Sequence, residues 1–135
     1  MKKDGLRSDC PINYALEYLG DKWSLLIIRD MVFDGKRFYK DFLKSKEGIA
    51  TNILSDRLKR LEGLGIVEAK VYEKKKTQKI YTLTQKGKDL TPILIDIILW
   101  SASHKDGLNV EAEFVEKAKH EREKVINTVL SSIPA

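Results

Sequence analysis

The stretch from Ile49 to Lys88 limits the fold more than any other part of the chain. It holds a helix, a lysine-tipped hairpin and the start of a second helix, with little chain between them. In "ATNILSDRLKRLEGLG", Leu54, Leu58 and Leu61 recur at helical spacing, and Gly65 stands where a helix should stop. Two β-rich runs follow, "IVEAKVYE" and "KIYTLT", joined by Lys74, Lys75, Lys76, Thr77 and Gln78. Thr84 is placed to cap the helix that begins "QKGKDL". The leucine stripe requires a core to cover it, whereas the opposite helical face and the hairpin tip are polar and basic. A helix of groove width beside a cationic loop meets the two demands that duplex DNA makes.

The flanking chain supplies that core. Residues 1–9 read as a flexible polar arm. Cys10-Pro11 opens a first helix, "PINYALEYLG", because proline suits a first helical turn, and Gly20 ends it. Asp21 reads as the cap of "KWSLLIIRDMVFDG". There Trp23, Leu26, Ile27 and Met31 share a face that Leu25, Ile28 and Val32 widen, so this helix is the expected hub, and Gly35 stops it. "KRFYKDFLKSK" predicts a third helix with Phe38, Phe42 and Leu43 inward, and "EGIA" turns into the leucine helix.

Beyond the hairpin, "TQKGKDLTPILIDIILWSASH" is long and apolar. Pro92 inside it predicts a kink or a break into two pieces. Gly107 and Asn109 mark another break. "VEAEFVEKAKHEREKVINTVLSSI" then reads as one charged amphipathic helix, with Phe114, Ala118, Val125, Val129 and Ile133 as a partial stripe. The whole pattern is α+β and mainly helical: a winged helix-turn-helix with its hairpin as the wing. The winged domain and its dimerisation helices span residues 10–104, and a helical extension covers 105–135.

At 135 residues the chain fits one domain with one core. Lys and Arg exceed Asp and Glu by ten to eight in residues 1–50 and by ten to five in 51–90, but number five against seven in 91–135. The positive excess therefore lies mainly on the helix–hairpin unit, where a phosphate-facing surface would carry it. A single cysteine excludes an intrachain disulfide. "MKKDGLRSD" lacks the apolar run of a signal peptide, and Ile93–Trp100 is too short to cross a bilayer, so a soluble cytoplasmic protein with no membrane partner is expected. An enzyme finds little support. His104 and His120 form no paired motif, no glycine-rich phosphate loop is present, and no metal or cofactor is implied.

On the leucine helix, Asn52, Ser55, Asp56 and Lys59 share the outward face. Asn can bond adenine at two atoms in the major groove, and Ser can contact a base or a phosphate. Thr51 reads as the N-cap, and Arg60 adds charge at the edge. Asp56 is unfavourable beside phosphates unless it accepts from a cytosine or pairs with Lys59 or Arg60. Lys74, Lys75 and Lys76 suit phosphate contacts, because lysine is a flexible point charge that positions better than it reads; a solubilising loop is the alternative. Lys36, Arg37 and Lys40, at the start of the third helix, are candidates to flank the same groove. Cys10 precedes a helix N-terminus, whose positive dipole end favours thiolate, although a lone cysteine is often a small packing residue. Tyr14, Leu16, Ile93, Ile97, Leu99 and Trp100 either close over the core or meet a second subunit, and the reading favours a homodimer.

The phrases "CPINYALEYLGDKWSLLIIRDM", "KRFYKDF", "GIATNILSDRLKRLEGLGIV" and "YTLTQKGKDLTPIL…LW" resemble, in order and across Cys10 to Trp100, the HxlR family of bacterial winged-helix regulators, relatives of the MarR group. The resemblance implies a dimer that binds operator DNA and represses or activates nearby genes. It also implies that the cysteine of the opening "CP", here Cys10, can sense oxidants or electrophiles. The chain departs from the pattern at Ser101, where a glycine commonly follows the tryptophan. It departs again in a wing tip without arginine, and in residues 105–135, which run past the shared core. Together these features predict a sequence-specific regulator, most simply a repressor, whose partners are a double-stranded inverted-repeat operator and a second copy of the chain. The alternative is a winged-helix module that binds protein without reading DNA.

Overall fold

The computed structural model describes residues 5–134. Its elements run α1 (Pro11–Leu19), α2 (Ser24–Phe33), α3 (Tyr39–Phe42), α4 (Thr51–Gly63), β1 (Val67–Val71), β2 (Lys79–Leu83), α5 (Gln85–Lys88), α6 (Thr91–His104), α7 (Ala112–His120) and α8 (Arg122–Ser132). Residues 1–4 of the expected arm lie outside the described residues. Within the rest of it, the Arg7 guanidinium donates to Glu17 and to Asn13 Oδ1 (2.8 Å), which ties the arm to α1.

The core assembles around α2, as its apolar surface requires. Ile27, Ile28, Met31 and Val32 are buried against Phe42, Leu54, Leu58, Leu61, Ile66, Val67, Leu83 and Leu94. Complete burial of a leucine side chain stabilises by about 1.5–3 kcal/mol, so the three leucines of α4 are enough to hold an otherwise polar helix in place. The Asp21 carboxylate accepts from the backbone N–H groups of Trp23 (2.9 Å) and Ser24 (3.0 Å) and so holds the turn that leads into α2, but the N-cap is Trp23 and not Asp21 as expected. Gly65 follows α4 with φ +75°, a conformation that lets the chain reverse directly into β1. β1 and β2 are antiparallel, in the register Val67 opposite Leu83 through Val71 opposite Lys79. Thr84 Oγ1 accepts from Gly87 N–H and caps α5, and the chain breaks at Asp89-Leu90 so that Pro92 falls in the first turn of α6. Of the two outcomes that Pro92 allowed, the break is the one found.

Three further local expectations are corrected. The third helix is not "KRFYKDFLKSK" but only Tyr39–Phe42, because Phe38 is extended (φ −112°, ψ 144°) and bridges to Ile80, while Tyr81 N–H donates to the Arg37 carbonyl (2.8 Å). Residues 37–38 thus form a short third edge of the wing, and Lys36 and Arg37 precede the helix rather than opening it. Thr51 does not cap α4. The cap is Ala50, whose side chain makes no capping hydrogen bond. The C-terminal stretch is two helices, broken at Glu121 (φ −130°, ψ 48°). The bend lets Ala118 of α7 and Ile126 of α8 both reach Ile95 on α6, which one straight helix could not do. Phe33 and Val129 pack against both clusters, so α8 is joined to the core through α2.

Candidate nucleic-acid interface

With Leu54, Leu58 and Leu61 turned inward, Asn52, Ser55, Asp56 and Lys59 are all exposed on α4. Arg60 is half-buried beside them. Tyr39, which sequence reasoning passed over, steadies the start of this helix. Its hydroxyl donates to the Thr51 carbonyl (3.0 Å) and accepts from Ser55 Oγ (3.3 Å). Thr51 is exposed in the first turn, where its side chain is free of a capping role.

Asp56 has a partner that spacing did not suggest. Neither Lys59 nor Arg60 pairs with it; Arg57 Nη1 donates to Asp56 Oδ2 (2.6 Å), and Arg57 Nε donates to Asp21 Oδ1 (3.0 Å). The Asp21 carboxylate also accepts from the Ser24 hydroxyl (2.6 Å). Burial alone would raise the pKa of Asp21. The hydrogen bonds from Ser24, Trp23 and Arg57 outweigh it and hold the group well below the usual carboxylate range. The same contact raises the pKa of the Arg57 guanidinium, the hydrogen bond to Asp21 being the largest cause. A side chain on α4 is thereby locked to the turn that leads into α2.

At the wing tip Lys74, Lys75 and Lys76 are exposed. Two consecutive turns hold them, with Lys75 N–H donating to the Tyr72 carbonyl (3.2 Å) and Gln78 N–H to the Lys75 carbonyl (2.9 Å). Tyr72 stacks edge-on against Phe38 at 5.0 Å, which fixes the base of the wing. A cleft lined by Tyr39, Lys40, Thr77, Gln78, Lys79 and Tyr81 runs between α3 and the wing, and its lysines are exposed.

Lys36 is not at that cleft. Its ammonium meets Ser45 Oγ (3.0 Å) and the buried Asp30 (3.5 Å), inside a network in which Arg29 also bonds Glu47 twice (2.7 and 2.9 Å). These bonds, with the Arg29 hydrogen bond as the leading cause, lower the Glu47 carboxyl to about 2. Arg37 contributes its carbonyl to the wing edge, and its side chain is half-buried.

Cys10 is exposed at the N-cap of α1, its N–H donating to Ser8 Oγ (3.3 Å). α1 buries none of its residues fully. Ile12 (71 % exposed), Tyr14 and Leu16 on α1, and Ile93, Ile97 and Trp100 (67 %) on α6, stand in solvent; Leu99, expected with them, packs instead against the Ile95 cluster. Lys86 Nζ joins α1 to the end of α4, donating to Tyr14 Oη (3.1 Å) and to the Leu64 carbonyl (2.8 Å).

Residues 18–108, which contain α2, α4 and the wing, match the HxlR-like helix-turn-helix family. The chain belongs to the HxlR family. YybR, an HTH-type transcriptional regulator of Bacillus subtilis (strain 168), is 31 % identical over 102 residues, which is 76 % of this chain and 81 % of YybR. The structure of the redox regulator HypR in its oxidized form is similar with a TM-score of 0.63 and 32 % identity, covering 73 % of this chain and 100 % of HypR. Quinone-bound YodB from B. subtilis is similar with a TM-score of 0.58 and 35 % identity, covering 70 % of this chain and 99 % of YodB. This HxlR-family chain is therefore a winged helix-turn-helix transcriptional regulator. α3 and α4 form its helix-turn-helix and β1–β2 its wing. Among the described residues no helix is long and apolar enough to cross a membrane.

Proposed function

We propose that this regulator is a cytoplasmic homodimer that represses transcription by holding an inverted-repeat operator. In this reading α4 enters the major groove and Asn52, Ser55, Asp56 and Lys59 meet base edges, with Thr51 and Arg60 at the margin. Lys74, Lys75 and Lys76 hold phosphates, and Lys40 and Arg37 lie on the flank; Lys36 supports the turn before α4 from within. The observation that carries the reading is the division of α4, whose three leucines are buried while Asn52, Ser55, Asp56 and Lys59 are exposed. The apolar side chains on α1 and α6 supply the dimer contact, since Ile12, Tyr14 and Leu16 on one helix and Ile93, Ile97 and Trp100 on the other leave exposed apolar surface of the kind that marks an interaction site. Two recognition helices related by a two-fold axis would then read half-sites centred about 10 bp, or a multiple of that, apart.

Cys10 is the proposed sensor, on the strength of its exposure, its place at the start of α1 and the chain's likeness to a redox regulator, HypR, and to YodB, which binds a quinone. Cys10 precedes the residues 18–108 that match the family, so the family match itself does not cover it. With one cysteine per chain, oxidation ends in a disulfide between subunits, a mixed disulfide with a small thiol, or an adduct. Strain at the start of α1 would reach α4 through Lys86, which touches both. Gel-shift and footprinting on the DNA upstream of the protein's own gene test the reading. A protected inverted repeat supports it, and binding no tighter than to unrelated duplex overturns it.

A further inference from the structure

We infer that Asp56 reads a cytosine in each operator half-site and that Arg57 is the residue that positions it. This deepens the proposed function and rests on α4 being the DNA-reading helix. A carboxylate on such a face is repelled by phosphates unless its charge is offset and a donor faces it. Both conditions are met by the arrangement around Arg57. Its side chain is 21 % exposed, anchored by Nε on Asp21, and presents Nη1 to Asp56 Oδ2 at 2.6 Å. Asp21 is itself fixed by three donors from Trp23 and Ser24, so the anchor does not drift. Asp56 remains 58 % exposed, and among the described residues its Oδ1 accepts no hydrogen bond.

One fixed acceptor thus stands on the outward face, one turn beyond Asn52 and next to Ser55. An acceptor with no donor of its own matches an exposed amino group. In the major groove cytosine offers N4–H2, whereas adenine sets its acceptor N7 beside its amino group and guanine offers acceptors only, so cytosine is the base selected. Repulsion from every other pairing turns the carboxylate into a discriminator as well as a contact.

The test is a selection of half-sites from a random duplex library with the full-length protein. Fluorescence anisotropy follows, on the selected site and on copies with each base changed, for wild type, Asp56→Ala, Asp56→Asn and Arg57→Gln. Wild type should disfavour replacement of one C·G pair by on the order of tenfold to a hundredfold. Asp56→Ala should lose that preference and no other, and should bind unrelated DNA more tightly because a negative charge has gone. Arg57→Gln should lose the same single preference, and the double variant should lose no more than either one. Asp56 is exposed, so its variants should melt as wild type does, which keeps the test open even if Arg57→Gln fails to fold. Asp56→Ala with every base preference intact overturns the inference, as does loss spread evenly over the half-site. Wild type that selects no DNA overturns the DNA reading itself, and this inference with it.

Discussion

Replacing Gly87 with alanine should destabilise the fold and displace the wing. Gly87 lies in α5 against the chain where α4 gives way to β1. A Cβ there would sit 2.4 Å from the Ile66 carbonyl oxygen and 2.8 Å from Leu83 Cδ2. The leucine methyl can rotate away, but the carbonyl is held, accepting from Thr84 N–H (3.0 Å) and from Thr84 Oγ1 (3.1 Å). Relief therefore requires α5 to move off β1, weakening those bonds and the cap from Gly87 N–H to Thr84 Oγ1 (3.2 Å). Overpacking of this kind costs about 1–3 kcal/mol and the partial loss of the three bonds together about 2 kcal/mol, while the better helix propensity of alanine returns about 1 kcal/mol. The net is a loss of about 2–4 kcal/mol. Urea unfolding followed by fluorescence of Trp23 and Trp100, at one fixed protein concentration, should show the midpoint falling by roughly 1–2 M for a slope of about 2 kcal/mol/M. Gly63→Ala is the control, because nothing lies within 4 Å of a Cβ at that position of α4. It should be neutral or stabilising by up to about 1 kcal/mol. Gly87→Ala as stable as wild type would refute the packing described here.

Acid should weaken the fold in a defined range. Glu47 is lowered from 4.5 to about 2 by its Arg29 bonds, and Asp21 is lowered further by its donors despite burial. A carboxylate with a lower pKa in the folded than in the unfolded state adds stability that is complete above its unfolded pKa and is lost as pH falls. Melting temperature should therefore hold above about pH 5 and drop towards pH 2, and Asp21→Asn should flatten that drop. Trp100→Glu should convert a dimer to a monomer in sedimentation and weaken operator binding at least tenfold; an unchanged dimer would move the contact elsewhere. Diamide or a quinone should alter DNA binding by wild type and not by Cys10→Ser, with Lys86→Met muting the response; equal behaviour of wild type and Cys10→Ser leaves Cys10 as an ordinary surface thiol.

Local chemistry made much of the fold legible. The spacing of Leu54, Leu58 and Leu61, the stop at Gly65, the paired β runs and the Thr84 cap all depend on residues close in sequence, and the structure contains each of them. What sequence did not reveal depends on distant partners. Phe38 leaves a helical pattern because Ile80 pairs with it, and the chain bends at Glu121, with no glycine or proline to mark it, because Ala118 and Ile126 converge on Ile95. The candidate site divides the same way. The outward face of α4 followed from helical periodicity. The partner of Asp56 did not, since neighbours in sequence rarely face each other on a helix and Arg57 is drawn into place by Asp21. Lys36 looked like surface charge until the burial of Asp30 showed where its ammonium is used.

The central claim, that α4 reads bases while the wing holds phosphates, is tested most directly by one salt series of anisotropy titrations on operator and scrambled duplex, comparing Lys75→Ala with Asn52→Ala. Lys75→Ala should weaken both duplexes alike and lower the slope of log K against log salt by about one. Asn52→Ala should cost about 1–3 kcal/mol on the operator alone and leave the salt slope nearly unchanged. Loss of specificity in Lys75→Ala, together with no effect of Asn52→Ala, would contradict that claim.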